Sequence, residues 1–207
     1  MYLVKTYWWL KALYPSFVWN MNRGERTIYL TFDDGPHPTA TPFVLNELKK
    51  YNAKATFFCI GKNVIEYPEI YKRIIDEGHA IGNHTYNHLN GWNTNNDSYL
   101  QNIDKAIEHI KSNLFRPPYG RIKTTQSKQL KTTHPNFKII MWDVLSADFD
   151  TNISAEQCYK NVIKNTLPGS IIVFHDSTKA LDKMTNTLPK VLQYFSNKNF
   201  TFKAISQ

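Results

Sequence analysis

A chain of 207 residues with 42% hydrophobic residues is long enough for one α/β domain with a sizeable core and too apolar to be disordered. Its formal net charge of +8 comes from basic residues spread along the chain, not from a stripe or a nucleic-acid-binding module. That argues against nucleic-acid binding and leaves a solvated surface or attraction to an anionic polymer. Two cysteines, Cys59 and Cys158, with no CxxC pair, give no indication of a disulfide scaffold and read as buried free thiols.

The first 20 residues are rich in Tyr, Trp and Leu, but Lys5, Lys11 and Pro15 interrupt them. No apolar run is long enough to span a bilayer, and no secretory apolar stretch ends in small residues. Residues 1–26 are therefore expected to be an aromatic segment packing on the domain that follows. A peripheral membrane contact or self-association through this segment is the alternative, and cytoplasmic residence is the default location.

Thr27–Phe32 alternates β-branched and aromatic residues and predicts a strand. Thr41 followed by Pro42 predicts the start of a helix, with Val44, Leu45 and Leu48 on its apolar face. Ala55–Ile60 is a second strand, Pro68–Glu77 a helix stopped by Gly78, and Ala80–Asn83 a third strand. Asp97 or Ser98 is expected to cap a helix with Leu100, Ile103, Ile107 and Ile110 at helical spacing. Leu114–Phe115, Lys138–Trp142, the apolar run Ser170–Phe174 and Phe200–Ile205 complete the strands. Helices are expected over Thr125–Thr132, after a Ser154–Gln157 capping box, and over Leu188–Phe195. Strands alternating with helices and no linker imply one α/β domain: a distorted (β/α) barrel of about seven parallel strands, with an open doubly wound sheet as the alternative.

Polar residues cluster where these strands end. Asp33 and Asp34 follow the first, His84 and His88 the third, Arg116 the fourth, Asp143 and Asp148 the fifth, and His175 and Asp176 the sixth. In a parallel barrel those ends share one face, where active sites form. His84 and His88 have the spacing of one face of a helical turn, and two His with a carboxylate are a common catalytic metal set. A plain turn is the bland reading of Asp33–Pro36, and a structural role stays open for Asp143 and Asp176. His37, His79, His109 and His134 read as surface residues. Trp92 and Trp142 are candidates for a sugar-binding groove, with core packing the alternative.

Thr31-Phe32-Asp33-Asp34-Gly35, His84-Thr85-Tyr86-Asn87-His88, Arg116-Pro117-Pro118-Tyr119 and Val173-Phe174-His175 resemble, in order, the motifs of polysaccharide deacetylases, the NodB-homology domains of carbohydrate esterase family 4. The resemblance runs from about Thr27 to the C-terminus, so 27–207 would be the catalytic domain. It implies hydrolysis of N-acetyl groups on an N-acetylglucosamine-containing glycan, chitin-like or peptidoglycan, with one divalent metal: zinc, or cobalt or nickel. It further implies that Asp34, His84 and His88 ligate the metal and that Asp33 is the general base, held by Arg116. His175 would be the general acid, tuned by Asp148, and the Tyr119 backbone N–H would support the oxyanion. The family's usual Asp-Trp is here Asp148-Phe149, and its usual Leu is here Val173, so the acetyl pocket is expected to differ in shape. A silent glycan-binding module, or a deacylase of a small amide or lipid-linked sugar, are the competing readings.

Overall fold

The runs that read as apolar are buried on both faces, as a parallel sheet covered by helices requires. The computed structural model describes residues 2–206. Its strands are β1 (Thr27–Asp33), β2 (Thr56–Cys59), β3 (Ala80–Asn83), β4 (Leu114–Phe115), β5 (Lys138–Ile139), β6 (Val144–Leu145), β7 (Ile171–His175) and β8 (Thr201–Phe202). Seven of them form one parallel, curled half-barrel in the order β5-β4-β3-β2-β1-β7-β6, and β8 adds to β1.

Along β1, Ile28, Leu30 and Phe32 face the helices and join Val44, Leu45, Phe57, Phe174 and Leu192 in the largest core cluster. Tyr29 points the other way, into a cluster with Phe58, Leu114, Ile140 and Ile171. The two-residue period puts Thr31 and Asp33 on that inner side. The helices are α1 (Trp8–Leu13), α2 (Ala40–Lys50), α3 (Gly61–Glu66), α4 (Pro68–Asp76), α5 (Asn96–Ile107), α6 (Thr124–Thr133), α7 (Ala155–Asn165) and α8 (Leu181–Ser196). None is long and apolar enough to cross a membrane among the described residues.

Several local expectations are corrected. Helix α2 starts at Ala40, with His37 Nδ1 accepting from Thr39 N and Ala40 N, and Thr41 lies inside the helix, where its hydroxyl serves the site described below. Asn95, not Asp97 or Ser98, caps α5, its side chain accepting from Ser98 N at 2.9 Å. Ser154 caps α7, but Gln157 turns its amide to Asn161 instead of closing a capping box. Of the run Lys138–Trp142 only β5 is a strand, Ile140 adds a single bridge, and the separate strand β6 follows it. Phe200–Ile205 pairs only over β8. His79 is buried, not on the surface, and its Nδ1 accepts from Ala55 N at 3.2 Å.

Residues 5–20 run along the open seam between β5 and β6, with single bridges Lys5↔Val144, Val18↔Ile140 and Asn20↔Ser170. Asp143 sits beneath this strap. Its buried carboxylate accepts from Lys11 at 2.6 Å, Ser170 at 2.6 Å, Lys5 at 2.9 Å and Arg23 at 3.1 Å. Burial pushes Asp143 up, and these donors outweigh it and hold the carboxyl well below its ordinary value. Asp143 is thus a structural anchor, which closes the question its place in the sequence left open. Helix α1 buries no residue and exposes Trp8, Trp9 and Leu13.

Candidate active site

The C-terminal strand ends open into one cleft of about 550 Å³. Asp33, Asp34, His84, His88, Tyr119, Trp142, Phe149, Val173 and His175 all line it, as do Leu145, Arg121 and Lys179. Arg116 and Asp148 lie fully buried behind the wall.

Arg116 is locked by four hydrogen bonds. Its Nη1 donates to Asp33 Oδ1 and Thr31 Oγ1, both at 2.7 Å, its Nε to the Ile140 carbonyl at 3.2 Å and its Nη2 to the Met141 carbonyl at 3.0 Å. The guanidinium lies 4.1 Å from the Phe58 ring centroid. Burial pushes Arg116 down, and the Asp33 charge pulls it back.

The turn carrying Asp33 and Asp34 is fixed from below by Asp176. This buried carboxylate accepts from Gly35 N at 3.1 Å and from the Thr41 hydroxyl. A Cβ on Gly35 would stand 2.1 Å from Asp176 Oδ2, so only glycine lets the carboxylate approach. Burial raises the Asp176 carboxyl to about 8 although Thr41 opposes it. Asp176 is therefore a support for the turn, and it does not line the cleft.

His84 and His88 lie on a loop, not on a helical turn as their spacing suggested. Thr85 and His88 both have positive φ, 63° and 58°. Two asparagines that sequence reasoning passed over hold this loop. Asn83 Oδ1 accepts from Thr85 N at 2.8 Å, and Asn102 Oδ1 accepts from Tyr86 N at 2.9 Å and Asn87 N at 3.0 Å. An asparagine closing an apolar strand, as Asn83 does, was the available signal.

The loop brings His84 Nε2 to 3.7 Å and His88 Nε2 to 3.2 Å from Asp34 Oδ1. His84 Nδ1 lies 2.8 Å from the Arg116 carbonyl, which can only accept, so Nδ1 carries the hydrogen. Burial lowers the His84 pKa to about 4 even though Asp33 opposes it, so its Nε2 presents a lone pair at neutral pH. A lone pair thus faces a carboxylate oxygen that is itself buried without a hydrogen-bond partner. Burial pushes Asp34 up, but the nearby His88 ring and the His175 charge outweigh it and hold the carboxyl well below its ordinary value.

Among the described residues, this is the group of three whose ligand atoms all lie within 4.8 Å of one another. Ligands about 2.1 Å from one tetrahedral centre stand about 3.4 Å apart, close to the observed separations. The His84 lone pair and the Asp34 oxygen are facing acceptors, and two such groups fit a cation.

Across the cleft, His175 Nδ1 donates to Asp148 Oδ1 at 2.7 Å, and its backbone N donates to Asp148 Oδ2 at 2.8 Å. Nε2 is left for the cleft. Burial pushes His175 down, but the Asp148 carboxylate outweighs it and raises the pKa to about 9. Phe149 packs edge-on against this imidazole at 5.2 Å, and Tyr2 packs edge-on against Phe149 at 5.3 Å. Tyr2, Arg121 and Lys179 reach the cleft from places no local pattern marks. Trp92 does not line it; its indole lies 5.0 Å from the Arg121 guanidinium and donates to the Ile122 carbonyl at 3.3 Å.

This geometry belongs to a known group of hydrolases. The sequence profile of the family described as polysaccharide deacetylase matches residues 20–135. A peptidoglycan-N-acetylglucosamine deacetylase of Bacillus cereus is 38% identical over 201 residues, covering 94% of this chain and 71% of that protein. A chitooligosaccharide deacetylase of Azorhizobium caulinodans is 35% identical over 163 residues, covering 75% of this chain and 76% of that protein. The crystal structure of the Bc1960 peptidoglycan N-acetylglucosamine deacetylase superposes with a TM-score of 0.85 at 36% identity, covering 92% and 91% of the two chains. The chain belongs to the polysaccharide deacetylase family.

Proposed function

We propose that this chain hydrolyses N-acetyl groups on an N-acetylglucosamine-containing glycan, peptidoglycan or chitin-like, in a metal-dependent reaction. The observation that carries the reading is the buried, unpartnered Asp34 Oδ1 facing two imidazole nitrogens at 3.2 and 3.7 Å. Asp34, His84 and His88 would hold the cation, and zinc suits two nitrogens and one carboxylate, with cobalt and nickel close behind. When bound, such a cation polarises the acetyl carbonyl and makes water nucleophilic at neutral pH.

The chain's own groups supply the proton transfers. Asp33 accepts the proton of the attacking water, and the Arg116 ion pair at 2.7 Å fixes its orientation. The Tyr119 backbone N–H, in a turn at φ 59°, is the proposed donor to the developing oxyanion. His175, protonated on Nε2 because Asp148 raises its pKa to about 9, hands that proton to the departing amine. Val173, Leu145, Phe149 and Trp142 give the cleft the apolar wall that an acetyl methyl and a sugar face need.

Acetate release from N-acetylated glycan oligomers tests the reading. Release should vanish on treatment with a chelator, return with zinc, and fall by at least about 100-fold in Asp33→Asn. Zinc-loaded protein that releases no acetate from any such oligomer would overturn it.

A further inference from the structure

The cleft carries two positive charges that the reaction does not use. Arg121 and Lys179 both line it and both are exposed. Neither has a carboxylate within 4.0 Å or a side-chain hydrogen bond among the described residues, whereas the acidic groups of the cleft are occupied. Asp33 pairs with Arg116 at 2.7 Å, and Asp34 faces the imidazoles. Asp150 accepts from the Tyr2 hydroxyl at 2.6 Å and from Asn152 N at 2.9 Å, and Lys179 acts on it only through its charge, without a salt bridge.

Each cation instead lies over an aromatic ring, Arg121 more closely than Lys179. The Arg121 guanidinium lies 5.0 Å from the Trp92 ring centroid, and Lys179 Nζ lies 5.9 Å from that of Phe149. Stacking of this kind steadies a guanidinium while leaving its N–H edge free to meet a planar carboxylate with two parallel hydrogen bonds.

Their placement shows which part of a ligand they meet. Arg121 follows β4 and Lys179 follows β7, while β3, β2 and β1, which bring in the imidazoles and aspartates, lie between them in the sheet. The strands that deliver the imidazoles and aspartates thus stand between those that deliver the two cations, so the cations lie to either side of a sugar held at the Asp34 site and meet its neighbours along the polymer.

We infer that Arg121 and Lys179 recognise carboxylates on the sugars flanking the acetylated one, so that the substrate is an acidic N-acetylated glycan and not a neutral one. The inference rests on the deacetylase reading above and refines its substrate class. A neutral N-acetylglucosamine oligomer offers neither cation a charged partner. A sugar bearing a lactyl ether, as N-acetylmuramic acid does, offers one at each such unit, and the net charge of +8 favours approach of such a polymer at long range.

The test compares kcat/KM of the zinc-loaded protein for a tetrasaccharide of alternating N-acetylglucosamine and N-acetylmuramic acid with that for its carboxyl methyl ester, which is neutral and nearly the same size. Two exposed charge contacts at roughly threefold each give a preference for the free acid of about tenfold. It should lie mainly in KM and shrink at about 1 M salt, where the Debye length is about 3 Å. In Arg121→Gln/Lys179→Gln the ratio should collapse towards one, and Arg121→Lys should keep part of it. A folding defect would depress both substrates and leave the ratio unchanged.

Equal kcat/KM for acid and ester in the wild type overturns the inference while leaving the deacetylase reading intact. So does a preference that survives the double substitution. No acetate from either substrate overturns the deacetylase reading itself.

Discussion

Replacing Asp148 by Asn tests how the site keeps an acid charged at a pH where a free imidazole is neutral. Asp148 accepts both N–H groups of His175, at 2.7 and 2.8 Å. Asn keeps one acceptor and turns an amino group against the other donor. Burial lowers the His175 pKa and the Asp148 charge raises it, with about 9 as the outcome against an ordinary 6.5. With the charge gone and the burial retained, His175 should fall to 6.5 or lower, a displacement of about 2.5 pH units or more. At pH 8 the protonated fraction then drops about 30-fold, and kcat/KM should drop with it.

The assay is acetate release as a function of pH. A cation at Asp34 offsets part of the negative charge that also raises His175, so the wild-type alkaline limb belongs at or below about 9. The prediction is the downward displacement of that limb in the variant, with activity recovering as pH falls towards 6. Because the folded pKa is raised, the stability contributed by the His175–Asp148 pair is fully present below about 6.5 and lost as pH rises through about 9. An alkaline limb in the same place in both proteins, each folded and metal-loaded, would refute the assignment of His175 as the acid.

Arg116→Met should leave Asp33 buried without its partner and cost about 3–5 kcal/mol in urea unfolding, with activity lost as well. Arg116→Lys should not restore stability, because an ammonium cannot replace a planar donor shared among Asp33, Thr31, Ile140 and Met141. Asp143→Ala should free the strap formed by residues 5–20, at a cost of about 2 kcal/mol once the partial exposure of Lys5, Lys11 and Arg23 is discounted. Limited proteolysis should then cut within that strap faster than in the wild type. The folded pKa of Asp143 is depressed, so its contribution to stability is present above about pH 4 and is lost as pH falls further.

The strand ends were legible because β1, β2 and β7 are buried almost throughout and so read as runs of β-branched, aromatic and apolar residues. A carboxylate or imidazole at the end of such a run stands out, which is how Asp33, Asp34, His84 and His175 could be found together. What stayed hidden depends on contacts distant in sequence. β6 is two residues long and is defined only by its partner β7. The spacing of His84 and His88 fitted a helical turn as well as the loop that Asn83 and Asn102 impose, because both bring the two rings to one side. Asp143 sat at a strand end like Asp33 and Asp148 and was separated from them only by the cations of the N-terminal segment, 120 to 138 residues away in sequence. Arg121 and Lys179 look like ordinary surface charges until β4 and β7 are brought to the same cleft.

The proposed reaction requires one cation between Asp34 and the two imidazoles. Crystals grown with zinc and measured on both sides of the zinc absorption edge give the most direct answer. A single anomalous peak within about 2.2 Å of Asp34 Oδ1, His84 Nε2 and His88 Nε2 is the predicted result. A peak elsewhere with these atoms empty, or a hydrogen bond from a protonated His88 filling the gap in its place, would contradict it.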